Sequence, residues 1–187
     1  MTSDFLVGRV LIAMPGIDDP RFDRAVLMVC VHDDGQAMAI TVNRPLEGLT
    51  VKSLFGKLGI QTDGAPETAV LFGGPVETVR GYVLHTDDYS TSGSTLRVAP
   101  GVSLTDTREV LDALSDAERR PRRFALALGY AGWGAGQLER EIQDNVWLTC
   151  DPDEDLLLGG DHELKWTKAL AKIGVTADRL SIHAGRA

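Results

Sequence analysis

Two β-rich runs, 25–32 and 36–43, separated by Asp33-Asp34-Gly35, limit the fold more than any other feature. Asp-Gly between such runs signals a hairpin, because the favoured two-residue turn needs positive φ at both central positions. With the turn at Asp34 and Gly35, Asp33 faces Gln36, His32 faces Ala37, Cys30 faces Ala39 and Asn43 faces Val26. Side chains alternate across a strand, so Leu27, Val29, Val31, Met38, Ile40 and Val42 are expected on the main core face. Val26, Met28, Cys30, His32, Ala37, Ala39, Thr41 and Asn43 share the other, milder face. A helix laid over that face is favoured above a shallow cleft, since exposed Val26 and Met28 would leave an apolar patch.

The same register tests the one set of residues that imitates a thiol-protease triad, Cys30, His32 and Asn43. His32 lies six strand residues from the level of Asn43, roughly 20 Å at about 3.3 Å each. An orienting side chain must hydrogen-bond the imidazole directly, so no triad is expected.

Further strands are expected at 5–13, 70–72, 81–86, 95–99, 123–128 and 146–150. A short helix is expected over 50–58, and a second runs from Asp106, with Glu109 completing a capping box, to about Arg120 before Pro121. Residues 129–136 read as a glycine-rich loop and 137–144 as a short helix. Trp166, Ala169, Leu170 and Ile173 form one helical stripe, with Gly174 as its left-handed stop. Strands arrive in runs rather than in alternation with helices, which gives an α+β class with a mixed, mostly antiparallel sheet. Neither a repeat nor a linker divides the 187 residues, so a single domain, 1–187, is expected.

The formal net charge is -8, and an acidic chain is repelled by polyanions, so direct nucleic-acid binding is disfavoured. The one basic cluster, Arg119, Arg120, Arg122 and Arg123, reads as a cationic helix C-terminus or, less simply, as an anion or partner site. Two cysteines make no disulfide framework, and no stretch approaches the roughly 20 apolar residues of a membrane span. The first apolar segment lacks the preceding basic residues of a signal peptide, so the expected location is cytoplasmic.

No cofactor or metal is expected. Asp151, Asp153 and Asp155 begin like a calcium loop, but Leu156 and His162 stand where glycine and glutamate are required. His32, His85, His162 and His183 are scattered. The segment Gly129-Tyr130-Ala131-Gly132-Trp133-Gly134-Ala135-Gly136 follows a strand and opens a helix, where backbone amides can hold phosphate. It lacks any Gly-Lys-Ser/Thr, so a structural turn that packs Tyr130 and Trp133 is preferred. The Gly73-Gly74-Pro75 turn reads the same way.

These segments together resemble the YqgE/AlgH family of bacterial proteins. The matching residues include Gly8, Leu11-Ile12-Ala13-Met14-Pro15, Asp23, His32 and Asn43-Arg44-Pro45. Gly73-Gly74-Pro75-Val76, Leu84-His85 and Leu128-Gly129-Tyr130-Ala131-Gly132-Trp133 follow, then Gly136-Gln137-Leu138-Glu139, Asn145 and Trp147. Trp166, Ala169-Leu170, Gly174 and Leu180-Ser181 complete the match, while Ala25 and Ala39 depart from a frequent serine and glycine. The resemblance implies a strongly bent, bifurcated sheet folded toward a pseudo-barrel with peripheral helices. It also implies a regulatory label, sometimes transcriptional, and no catalytic residues to carry over.

The leading expectation is a non-enzymatic regulatory or interaction module with a protein or small-molecule partner. The alternative is a metabolite binder or enzyme whose distant turns converge on one pocket. The candidate surface comprises His32, Asn43, Gly73, Gly74, Pro75, His85, Tyr130, Gly132 and Trp133.

Overall fold

One strand organises the sheet. In the computed structural model, which describes residues 5–180, β9 (Phe124–Gly134) has three strand neighbours. Its first half pairs antiparallel with β6 (Val76–Thr86) along one edge and parallel with β5 (Ala69–Phe72) along the other. Beyond Gly129, whose φ is +76°, residues 131–134 leave β5 and pair antiparallel with β3 (Gln36–Thr41). The sheet therefore forks at a glycine in the middle of a strand. The 129–134 segment that composition marks as a loop is sheet, and only its end turns into α3 (Gln137–Gln143).

The remaining strands extend this frame. β1 (Val10–Ala13), β2 (Val26–His32) and β10 (Trp147–Cys150) continue from β3, giving the path β10-β1-β2-β3-β9-β6-β8-β7. β7 (Thr95–Ala99) and β8 (Val102–Thr105) end it, and β4 (Pro45–Thr50) pairs with β5 off the path. Every pairing is antiparallel except β5 with β9, so the sheet is mixed and mostly antiparallel as expected. β1 is shorter than the expected 5–13 strand, because a turn closed by Arg9 N–H to Leu6 O precedes it.

The hairpin turns at Asp34 and Gly35, with Asp33 N–H donating to Gln36 O at 2.9 Å. Neither central residue takes positive φ. Asp33 Oδ1 instead accepts from the amides of Gly35 (2.8 Å) and Gln36 (3.1 Å). His32 does face Ala37, but a bulge at Cys30 shifts everything beyond it by one residue. Val29 faces Ala39, and Val42, not Asn43, bonds Val26. The faces are accordingly redistributed. Val26, Met28, Cys30, Ile40 and Val42 line the main core, while Leu27, Val29, Ala37 and Ala39 face the opposite side. Leu138 of α3 covers that second face together with Trp133 and Trp147.

Helices close the curved sheet. α4 (Glu154–Leu158) and α5 (Lys165–Lys172) fill its concave side with Leu157, Trp166 and Leu170. The Trp166 indole N–H donates to Ala13 O at 2.9 Å, and Gly174 (φ +71°) stops α5. α1 (Val51–Leu58), capped reciprocally by Thr50 and Ser53, packs with α2 (Arg108–Leu114) on Val70, Val83 and Leu126. α2 is shorter than the 106–120 helix read from the capping pattern. Thr107 rather than Asp106 precedes it, and Asp106 pairs with Arg80 instead. A single turn, α6 (Ala177–Leu180), ends the described chain. Ser181 and His183 lie outside it.

Candidate functional site

The approach of two backbones fixes the site. The Gly73-Gly74-Pro75 turn lies directly against β9. A Cβ on Gly73 would sit 2.2 Å from Gly129 O, and one on Gly74 would sit 2.0 Å from the Tyr130 carbonyl carbon. Only glycine permits that contact. It brings Pro75 and Val76 beside Gly132 and Trp133, so two turns read separately from the sequence converge on one cleft.

The cleft encloses about 940 Å³. The loop from Met14 to Phe22 forms one wall, α3 and the Asn145–Trp147 segment another, and Arg179 and Leu180 of α6 reach its edge. Its aromatic floor is held rigidly. Glu141 Oε2 accepts from the indole N–H groups of both Trp133 and Trp147, at 2.8 Å each, while Gln137 donates to Oε1 at 3.0 Å. Trp147 meets Trp133 and Phe22 edge-on, with ring centroids 6.0 and 5.7 Å away. At the rim, Arg21 hydrogen-bonds Asp19 and holds its carboxyl below the usual range. No described lining residue is Ser, Thr, Cys, His, Lys or Tyr. The described lining offers stacking edges, apolar surface, carboxylates, the amides of Gln137 and Asn145 and the guanidinium groups of Arg21 and Arg179.

The other candidates lie apart from this cleft. Tyr130 packs edge-on against Tyr82 at 5.8 Å. His32 sits under α3, accepting from Leu6 N–H at Nδ1 (2.9 Å) and donating from Nε2 to Glu139 (2.8 Å). Asn43 accepts from Val26 N–H and donates to Arg24 O, binding the start of β2 to the end of β3. Cys30, His32 and Asn43 thus share no contact, and burial pushes the Cys30 thiol up to about 12. His85 is buried near the far end of β6, between Thr86 O and Thr105 Oγ1.

The charged motifs serve the fold. Arg122 and Arg123 clasp Glu154 and Asp155 of α4, and Arg120 donates to Gly64 O, so these arginines form neither a helix C-terminus nor an open basic patch. Asp151, Asp153 and Asp155 are paired with Arg9, Lys172 and Arg123 in turn. Among the described residues no group of His, Cys, Asp or Glu is arranged to hold a metal. Sequence reasoning missed Glu141, Phe22 and Arg179; only the four-residue spacing of Gln137 and Glu141 on α3 could have hinted at a shared role.

Comparison with known proteins agrees with this architecture. The chain is 62% identical over 185 residues to a UPF0301 protein of Caulobacter vibrioides, covering 98% of this chain and 95% of that one. A UPF0301 protein of Rhodopseudomonas palustris is 46% identical over 192 residues, covering 98% and 88%. The solution structure of AlgH from Pseudomonas aeruginosa superposes with a TM-score of 0.74 at 36% identity, across 100% of this chain and 98% of that one. A Corynebacterium diphtheriae crystal structure shares the fold at 16% identity, with a TM-score of 0.70 over 98% and 92% of the two chains. The AlgH-like family model (DUF179) matches residues 10–178. With this forked, mostly antiparallel sheet and these relatives, the chain belongs to the AlgH-like, UPF0301 family.

Proposed function

We propose that the protein is a non-enzymatic regulatory module, acting in the cytoplasm as a single domain, which docks a protein partner at the cleft beside Pro75, Gly132 and Trp133. The observation that carries this reading is a rigid aromatic floor, with both indoles fixed on one carboxylate and no hydroxyl, thiol, imidazole or amine side chain among the described lining residues. An adjoining feature favours a macromolecule. β6 leaves the ladder between Val76 and Gly81, Glu77 takes φ +47°, and Val79 at the tip is 95% exposed. A positive φ at a non-glycine residue costs on the order of 1 kcal/mol, so the spur is held out against a local penalty. Val76 lines the cleft and is itself part-exposed, and Val79, three residues on along the spur, is almost wholly exposed.

The charge supports a protein partner over DNA, because Arg122 and Arg123 are held by carboxylates on a chain of net charge -8. No described helix is long and apolar enough to cross a membrane. In native extract the wild-type protein is expected to elute in a discrete complex, and a Val76→Asp, Val79→Asp variant with unchanged Tm as the free chain. Identical elution of the two would contradict the proposal. A metabolite is the second reading, because about 940 Å³ lies within the size range of small-molecule sites. A thermal-shift screen that raises the Tm of wild type but not of Trp133→Ala would favour it.

A further inference from the structure

Lys165 is the one Asp, Glu, Lys or Arg residue buried among the described residues, and it opens α5. Its nitrogen donates to Val42 O, just past β3, at 2.8 Å and to Leu157 O, in α4, at 3.5 Å. One amine therefore joins three elements, inside a core that holds Val42, Leu156, Leu157, Leu158 and Trp166.

The charged groups that face it are mostly of its own sign. Arg123, just before β9, and Lys168, one turn on along α5, disfavour the ammonium form, whereas Asp161 favours it. Asp161 also lies 3.5 Å from Lys168 Nζ, and Arg123 is held by Glu154 and Asp155 of α4. His162, in the turn before α5, is kept toward its neutral form by burial and by Lys165. A protonated Lys165 is thus a buried charge with no ion pair, a state that exposure to water relieves.

The next residue connects this lobe to the cleft. Trp166 grips the chain on both sides of the Met14–Phe22 wall. Its indole N–H donates to Ala13 O at 2.9 Å, and the Arg24 guanidinium carbon lies 5.4 Å from its ring centroid. A displacement of α5 withdraws both contacts at once.

We propose that Lys165 is a proton-operated latch. With a neutral amine α5 stays seated on Val42 O. Proton uptake favours a state in which α5 has lifted, taking Trp166 with it and loosening the cleft wall. As regulation of docking, the latch rests on the function proposed above.

The test is amide hydrogen exchange of the full chain between pH 7 and pH 9, expressed as protection factors corrected for intrinsic rates. A lifted state that exposes Lys165 binds a proton more readily than the seated one, so opening becomes easier as pH falls. Protection of residues 165–172 and 13–22 should drop about tenfold or more from pH 9 to pH 7, while α1 keeps its own. In Lys165→Met this dependence should vanish. In Trp166→Phe it should persist in α5 and disappear from 13–22. A loss spread evenly over α1 and α5, no loss, a loss in α5 that leaves 13–22 fixed, or the same loss in Lys165→Met would overturn the latch. No partner enters the measurement, so these outcomes leave docking at the cleft to its own test.

Discussion

Thr105 Oγ1 lies 2.8 Å from Nε2 of His85, and the chemistry of their neighbours fixes which atom donates. Thr86 O can only accept, so His85 carries its proton on Nδ1, 2.9 Å away. Nε2 then accepts from the Thr105 hydroxyl, which accepts from Thr95, whose oxygen accepts from Thr91 N–H. The chain of bonds joins β6, β8 and β7 to the 90–94 loop and holds a neutral imidazole with no exposed surface.

His85 should therefore resist protonation. Burial, its largest influence, lowers its pKa below the ordinary 6.5. The unfolded chain then binds the proton first, so the stabilisation is complete above about pH 6.5 and is lost as pH falls toward the lowered value. Thr105→Val leaves Nε2 without a donor and should cost about 1–3 kcal/mol by urea unfolding at pH 8. Nitrogen NMR of the wild type should report the Nδ1–H form.

Lys165 should give the opposite end of the pH range its slope. Lys165 is 1% exposed, and its side-chain nitrogen donates to Val42 O at 2.8 Å and forms no ion pair among the described residues. Burial, reinforced by Arg123 and Lys168 and opposed by Asp161, pulls its pKa down from 10.5 to about 7. Between those values the unfolded chain holds a proton that the native chain lacks, so stability rises with pH. Relative to Lys165→Met, the wild type should gain on the order of 2 kcal/mol between pH 7 and pH 9 in urea unfolding. Parallel pH curves would contradict this.

Gly74, pressed against β9, and Gly134, at the far end of β9 beside Gln36, should differ sharply in tolerance. A Cβ on Gly74 would penetrate the Tyr130 backbone, so Gly74→Ala should destabilise by about 3 kcal/mol or more. Gly134 has open space around it and no positive φ, so Gly134→Ala should stay within about 0.5 kcal/mol. Thermal unfolding of the two variants measures the contrast.

These contacts also show why some of the fold was legible in the sequence and some was not. Asp34-Gly35 announced the hairpin turn, and Trp166, Ala169 and Leu170 announced α5 by their spacing. The bulge at Cys30 left no trace, because residues 26–30 are buried on both faces and carry no alternation to set a register. Glycines at 129, 132 and 134 suggested a loop by composition, yet Gly129 is in a strand because Gly74 presses on it. At the site, Pro75, Gly132 and Trp133 stood out and do meet. His32, Asn43 and His85 also stood out, but their hydrogen bonds tie structural elements together. Phe22 and Arg179 join the cleft only through tertiary contacts that no local pattern encodes, and Glu141 was hinted at only by its four-residue spacing from Gln137.

The cleft floor depends on one carboxylate receiving two indoles. Glu141→Leu would leave the N–H groups of Trp133 and Trp147 unpaired, at a cost of about 2–4 kcal/mol. Tryptophan fluorescence should shift as the edge-on packing loosens, and the unfolding midpoint in urea should fall with it.

A photo-crosslinking residue placed in living cells at Val76 in the cleft wall, at Val79 on the exposed spur that follows it, or at Leu58, exposed on α1, tests the docking surface most directly. One discrete protein adduct is expected from positions 76 and 79, absent from position 58 and lost when Trp133→Ala is added. Adducts of the same pattern from all three positions, or none from 76 and 79, would contradict a partner bound at this cleft.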